Sequence, residues 1–240
     1  MLRKMPTRAF LTLRREFGEH NMTRPCGPLI MIVFFALLSA QAFGQQHIAP
    51  GVERWAIKTS LSSHPNRKTV PLEELLALPN PIDEEDSQFE VKRIPLTVGR
   101  HSLKEGDIIT TTAWIHLVAL EDDGHTHRDG DYHIQIRTSP EWADTCLIIE
   151  VPYAGFVSNK KLAQQCGAVR QFIKEKLLNG NEPGTRGNRL DHPVYVTIKG
   201  QLFFDAPHVK GAPRGKRSMK SYTPWELHPV YSIKFAPKPH

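Results

Sequence analysis

The sequence predicts a mainly β protein: a five-stranded Greek-key barrel with one helix between strands three and four, preceded by an N-terminal arm. From about residue 96 onwards, five segments alternate between apolar and polar residues, as half-buried strands do. A single helical segment follows the third of them, which gives the element order of the OB-fold. Another small barrel or an α+β sandwich is the alternative, because element order does not fix which strands pair.

Runs of β-branched and aromatic residues define the five strands. The first run is long and is opened by the turn Gly106-Asp107, and most of the connections between runs contain Gly, Pro, Asn or Asp. The predicted strands are residues 106–120, 131–137, 145–153, 194–205 and 225–235.

One amphipathic helix is predicted over residues 158–180. Ser158 or Asn159 can cap its beginning, and the pair Asn179-Gly180 suits its end. Apolar residues recur at helical spacing along one face. They are Leu162, Cys166, Val169, Ile173 and Leu177.

Residues 1–42 are predicted to be a signal peptide. An apolar run follows a basic region and ends in Ala40-Gln41-Ala42, the small-x-small pattern of a signal-peptidase site. An uncleaved membrane anchor is the alternative, although a spanning helix needs about 20 apolar residues. Met22 is a second candidate for the start. The protein is therefore expected to be exported, periplasmic or secreted, with no stable membrane insertion after cleavage.

Residues 43–95 are predicted to form an extended N-terminal arm, and residues 96–240 the barrel domain. The arm mixes Pro-rich and acidic pieces around one short apolar run at residues 71–79, which fits a helical turn or two. We expect it to pack on the barrel.

Composition places the chain among globular proteins with one well-buried domain, since 40% of its 240 residues are apolar and its mean hydropathy is −0.38. The formal net charge is +6, but six of the 31 basic residues and two of the 25 acidic residues lie in the predicted signal peptide. Residues 43–240 therefore carry a net charge of only +2. The basic isoelectric point gives no argument for nucleic-acid binding.

Two cysteines, Cys146 and Cys166, lie beyond the predicted signal peptide. An exported protein meets an oxidising compartment, where a disulfide between them would contribute about 3 kcal/mol in the chain-entropy model. Two buried free thiols are the equal alternative, because sequence does not show whether the side chains approach.

Several segments together resemble a group of exported bacterial OB-fold-like proteins of unassigned activity. That group shares a D-x-D-Y-H strand, an I-x-E-[IV]-P strand, a G-x-x-F-F-D-x-x-H segment and a terminal E-L-H-P-V. The resemblance implies export and an OB-like domain, and it brings no activity, cofactor or catalytic residue. The insert before the last strand is longer and more basic here than is usual in the group. The matching stretches are RWAIKT, DGDYHIQI, CLIIEVP, GQLFFDAPH and ELHPVYSI.

Strand alternation predicts which side chains face away from the core. If Tyr132, Ile134 and Ile136 face inwards, then His133 must lie on the opposite face. The last strand has its own apolar set, which leaves its polar residues on the other face. That set is Trp225, Leu227, Tyr231, Ile233 and Phe235.

The polar residues on the non-core faces form a candidate site. Carboxylates and imidazoles that converge can bind a divalent metal as cofactor or act as acid and base. The alternative is that they satisfy one another and lock the open side of the barrel. The candidates are Asp131, His133, Glu150, Asp205, His208, Glu226 and His228.

Two loops are further candidates, because OB-folds hold oligonucleotides or oligosaccharides between the loops that follow strands one and four. The acidic loop 121–131 contains His125 and His127, weak candidates for metal ligands. The basic loop 206–224 is a candidate for binding a polyanion or saccharide. Mutual attraction of the two loops is the alternative. The basic residues are Lys210, Arg214, Lys216, Arg217 and Lys220.

The leading functional hypothesis is an exported OB-like binding or accessory module of unknown ligand. The first alternative is a metal-dependent hydrolase or nuclease that uses the His/Asp/Glu residues, and the second is a structural envelope protein. Trp114 and Trp142 are the candidates for stacking on nucleic-acid bases. No residue is assigned a catalytic role.

Overall fold

The computed structural model describes residues 54–82, 89, 91–121, 129–205 and 213–239. The predicted signal peptide lies outside these residues, as do His125, His127, His208 and Lys210. Within the described ranges, no helix is both long and apolar enough to span a bilayer.

Eight strands and three α-helices are found in the described residues. The helices are α1 (Trp55–Lys58), α2 (Leu72–Leu76) and α3 (Lys160–Leu177). The strands are β1 (Arg67–Thr69), β2 (Thr97–Val98), β3 (Leu103–Lys104), β4 (Ile108–Leu120), β5 (Tyr132–Arg137), β6 (Leu147–Val151), β7 (Asn188–Phe204) and β8 (Trp225–Phe235).

The five long strands close into a barrel. Their order is β4-β5-β6-β8-β7, and β7 pairs with β4 to complete the ring. All neighbours are antiparallel except β6 and β8, which are parallel and share the pair Ile149 and Leu227. The helix α3 lies in the connection from β6 to β7. This is the OB topology, and the predicted mainly β, five-stranded OB-like barrel is confirmed.

The helix α3 begins and ends at residues that close it. The side chain of Asn159 accepts a hydrogen bond from the N–H of Leu162 at 3.0 Å, which satisfies one of the free donors of the first turn. Asn179 and Gly180 have positive φ angles of 51° and 86° after the last turn. The predicted apolar face is largely buried, and α3 packs on β8.

The N-terminal arm contributes to the barrel core. The strand β1 pairs in parallel with β4, where Arg67 lies opposite Ile108. Leu72 and Leu75 of α2 belong to the same buried apolar cluster as the strands. The arm is thus held by one strand ladder and by apolar burial. The helix α2 lies in the apolar run where a helical turn was predicted, whereas α1 was not predicted.

The strand β8 departs from simple alternation near its middle. Trp225, Leu227 and Ile233 face the core as predicted, but Val230 takes the next core position, and Phe235 is 57% exposed. The register between β7 and β8 shifts at Gly200. A Cβ atom there would lie only 3.0 Å from Val230, so the close approach needs glycine. The prediction that Phe235 faces the core was therefore wrong.

Candidate functional site: a buried polar cluster

A cluster of ionisable side chains lies on the face of β5, β6 and β8 that is turned away from the core. It arises from strand alternation, because the intervening residues Tyr132, Ile149 and Leu227 fill the core. We call the whole set the polar cluster. Its strand members are His133, Glu150, Glu226 and His228, Asp131 directly precedes β5, and its other members are Lys58, Glu121, Asp129, Asp205, Arg214 and Lys216.

Glu150 is the centre of the polar cluster. Its Oε1 accepts a hydrogen bond from His133 Nδ1 at 3.1 Å. Its Oε2 lies 3.1 Å from His228 Nδ1 and 3.7 Å from Lys58 Nζ. Burial opposes ionisation of this carboxyl, but the charge of Lys58 and the contacts with the two histidines outweigh burial and hold the pKa of Glu150 well below its usual range.

His133 lies between two carboxylates. Its Nδ1 is 3.0 Å from Glu121 Oε1 as well as 3.1 Å from Glu150 Oε1. Burial disfavours the imidazolium, but the hydrogen bonds and charges of Glu121 and Glu150 prevail and raise the pKa of His133 to about 9. Its Nε2 is buried and has no hydrogen-bond partner among the residues that the structure describes.

His228 is fully buried and also lies between two carboxylates. Its Nε2 is 3.2 Å from Asp131 Oδ2, and its Nδ1 is 3.1 Å from Glu150 Oε2. Neither oxygen lies in the direction in which the ring N–H would donate, so both nitrogens lack a directed hydrogen bond within the described part of the chain. Burial disfavours the charged ring, yet Asp131 and Glu150 raise the pKa of His228 to about 9.

The arm supplies a cation to the polar cluster. Lys58, the last residue of α1, places Nζ 3.7 Å from Glu150 and 3.9 Å from Asp129. Burial would lower the pKa of Lys58, but the surrounding carboxylates, Glu150 first, raise it above its usual value. Burial and the charge of Asp131 raise the pKa of Asp129 to about 7.

The connection between β7 and β8 supplies two more cations. Arg214 donates to Glu226 at 2.6 Å and also to Asp205. Lys216 Nζ lies 3.3 Å from Glu121 Oε2. Burial and the charge of Glu150 raise the pKa of Glu226 to about 7, although Arg214 opposes this shift.

The described part of the basic loop is used partly within the protein itself, and the pair Lys216–Glu121 joins it to the acidic loop, as the alternative expected. Arg214 and Lys216 pair with the polar cluster. Arg217 donates to the carbonyls of Arg186 and Gly187, and Lys220 donates to the carbonyl of Gly215. The buried carboxylates of the strands require counter-ions, and this loop provides them.

Most of the predicted candidate site comes together. His133 and His228 both contact Glu150, and Asp131 contacts His228. Asp205 and Glu226 are joined through Arg214. His208, His125 and His127 lie outside the described residues.

Sequence reasoning missed Lys58, Glu121 and Asp129. The carboxylates could have been found, because both lie in the acidic loop 121–131. Lys58 lies far from the strands in sequence, and only its place in the stretch RWAIKT set it apart. Its role depends on where α1 packs, which no local pattern records.

Cys146 and Cys166 are both buried free thiols. The structure therefore agrees with the second of the two expectations, free thiols, and not with the disulfide. Cys166 lies in the apolar core on α3. Cys146 lies within 3.5 Å of the side-chain nitrogen of Gln135, a residue on the non-core face of β5. The two side chains belong to different environments, which explains why they do not join.

Two sets of three side chains have the spacing of a metal site. Glu121, His133 and Glu150 form one set, and Asp131, Glu150 and His228 form the other, with one potential ligand atom from each residue within 4.8 Å of the others. Imidazole nitrogen and carboxylate oxygen suit Zn²⁺ or Mn²⁺. Lys58 competes with a metal ion for Glu150, since it already neutralises that carboxylate.

In the presence of EDTA, the free energy of unfolding is expected to fall as pH rises from 6.5 to 9.5. The two imidazoles have folded pKa values of about 9, above the ordinary 6.5, so their contribution is full below pH 6.5 and is lost as pH passes 9. Urea unfolding at several pH values measures the slope. The slope should flatten in H133Q but not in H192Q, an exposed histidine. Equal slopes in both variants would contradict this assignment.

Comparison with protein-family models, with curated proteins and with solved structures found no match to this chain.

Proposed function

We propose that the protein is an exported OB-like binding or accessory module in which the polar cluster is a structural lock. The observation that carries this proposal is the internal pairing of the cluster. Lys58, Arg214 and Lys216, together with two histidines of raised pKa, supply positive charge to its carboxylates.

The lock covers the face that OB-folds commonly use for ligands. That face is formed by the second and third barrel strands, here β5 and β6, and by the neighbouring loops. In this protein α1 brings Lys58 onto the face and the β7–β8 connection brings Arg214. The covered face fits a module whose ligand binds elsewhere on the surface.

Export of this module is supported by the sequence. The apolar run with the Ala40-Gln41-Ala42 pattern, and the resemblance to a group of exported bacterial proteins, both favour a cleaved leader. A mature chain that begins near Phe43 retains every residue of the polar cluster.

A metal-dependent hydrolase or nuclease is the second candidate function. It is favoured by the two sets of potential ligands that share Glu150. It is also favoured by Asp131 Oδ2 and the His228 ring nitrogens, which are buried and have no hydrogen-bond partner among the described residues. A divalent ion bound there would activate a water molecule as the nucleophile.

One preparation tests both functions. The exported protein is purified, its N-terminus is measured by mass spectrometry, and its metal content is measured by inductively coupled plasma mass spectrometry. The module proposal expects an N-terminus near Phe43, substoichiometric metal, and no turnover of bis(p-nitrophenyl) phosphate with added Mn²⁺ or Zn²⁺.

The matched variants decide how a positive result is interpreted. Stoichiometric metal with hydrolysis that is lost in H228Q and kept in H192Q would replace the module proposal by the hydrolase. An intact leader in the membrane fraction would overturn export.

A further inference from the structure

A polar groove of about 600 Å³ opens at the beginning of α3, and none of its lining residues belongs to the polar cluster. This volume is in the range of small-ligand sites, which is about 300–1,000 Å³. Its walls come from β1, from the segment after α1, from α3 and from the two strands β7 and β8. The groove is therefore a junction of the arm with the barrel.

Among the described residues, the groove is lined by three cations and by no carboxylate. Arg67 comes from β1, Lys161 from α3 and Lys199 from β7. None of the three forms an ion pair with any residue in the described ranges, unlike Arg214 and Lys216 of the β7–β8 connection. Their positive charge is thus not neutralised within the described protein, and it faces solvent in a concave site.

The beginning of α3 adds to the positive charge of the groove. The first turn of the helix has no acidic residue and instead carries Lys160 and Lys161. Lysine is unfavourable there, because the N-terminal end of a helix is itself positive. A local arrangement that costs stability is expected where a ligand compensates for it.

The serine-rich wall of the groove is held in place by a buried residue. The side chain of Gln201 accepts a hydrogen bond from the N–H of Ser62 at 2.6 Å and donates to the carbonyl of Ser60 at 3.0 Å. Gln201 has no solvent exposure. The segment is therefore anchored to β7 before any ligand arrives, which limits the entropy lost on binding.

We propose that this groove binds an acidic oligosaccharide, a proposal that rests on the binding function above. The three cations suit sulfate or carboxylate groups, and the neutral donors and acceptors of Ser62 and Gln165 suit sugar hydroxyls. The Tyr231 hydroxyl lies beside Arg67 and can orient that guanidinium.

Single-stranded nucleic acid fits the groove less well, because it needs aromatic platforms for its bases. Tyr231 is the one aromatic residue among those lining the groove. The two predicted stacking residues lie elsewhere and already have partners. Trp114 packs against Tyr195 with ring centroids 5.0 Å apart, and the Arg189 guanidinium lies 4.1 Å from the ring of Trp142.

The proposal is tested by fluorescence polarisation with a labelled heparin tetrasaccharide, a neutral maltotetraose and a dT oligonucleotide. The triple variant R67Q/K161Q/K199Q removes the groove cations. The triple variant K104Q/K176Q/R186Q removes the same charge from exposed positions that do not line the groove. Binding of the tetrasaccharide should weaken as the salt concentration rises, because contacts between cations and its sulfate or carboxylate groups release counter-ions. The affinity should also fall by about tenfold or more in the groove variant.

The outcomes separate the ligand class from the function. Binding that weakens equally in both triple variants, or no binding to the native protein, would overturn the groove assignment. Tighter binding of the oligonucleotide than of the tetrasaccharide, lost in the groove variant, would overturn the saccharide and leave a binding module. A different result would refute the proposed module function, namely stoichiometric metal together with hydrolysis that is lost in H228Q.

Discussion

Replacing Arg54 by Met is expected to lower the free energy of unfolding by about 3–5 kcal/mol, because it would leave a buried carboxylate without its counter-ion. Arg54 contacts Glu105 through two parallel hydrogen bonds of 2.7 and 2.9 Å, and neither side chain is exposed. Arg54 also donates to the carbonyls of Phe89 and Lys92 at 2.6 and 2.9 Å. One guanidinium thus joins the start of α1 to the segment that precedes β2.

Urea unfolding of R54M measures this effect, with R186M as the control because Arg186 is exposed. The control should change stability by no more than about 0.5 kcal/mol. The double variant R54M/E105Q should be less destabilised than the sum of the single changes, since the uncompensated charge is gone. A loss in R54M as small as that of the control would show that the pair does not hold the arm.

Replacing Glu150 by Gln is expected to lower the free energy of unfolding by a similar amount, about 3–5 kcal/mol. The amide keeps the shape of the side chain and removes the negative charge shared by Lys58, His133 and His228. His133 and His228 are buried and Lys58 is half-buried, so their positive charges would face one another without the carboxylate that now separates them.

The control for this change is E175Q, because Glu175 is exposed on α3. The double variant K58M/E150Q should recover part of the lost stability, since it removes a cation together with its counter-ion. The measurement is made by urea unfolding in EDTA. E150Q and E175Q could instead have equal free energies of unfolding in EDTA, with E150Q the less stable variant only when Zn²⁺ is present. Glu150 would then bind a metal ion, and the proposal of a structural lock would be wrong.

The strand members of the polar cluster could be predicted because strands have a period of two. Once Tyr132 and Ile134 are assigned to the core, His133 has only one other face to occupy. The same reasoning placed Glu150 and Glu226, and the order of strands and helix gave the barrel. It failed beyond the middle of β8, because the shift at Gly200 moves the core position to Val230.

The partners of the cluster could not be predicted in the same way. The helix α1 has four residues, too few for a periodic pattern, so nothing local shows that Lys58 lies beside Glu150. The basic loop is different, because its positive charge is evident from the sequence but the partners of its basic side chains are not. Arg214 could equally have faced a ligand or Glu226, and that choice depends on the acidic strands beneath it.

The polar cluster joins β6 and β8 at the place where the barrel has its weakest backbone pairing. Ile149 and Leu227 are the one pair of residues that the ladder joins there. Glu150 follows Ile149, and His228 follows Leu227, with 3.1 Å between the carboxylate and the ring. The barrel therefore has a seam where charged side chains fasten two strands that share little backbone pairing. We expect the contact across this seam to weaken when the His228 ring loses its proton, because the pKa of His228 in the folded protein is about 9.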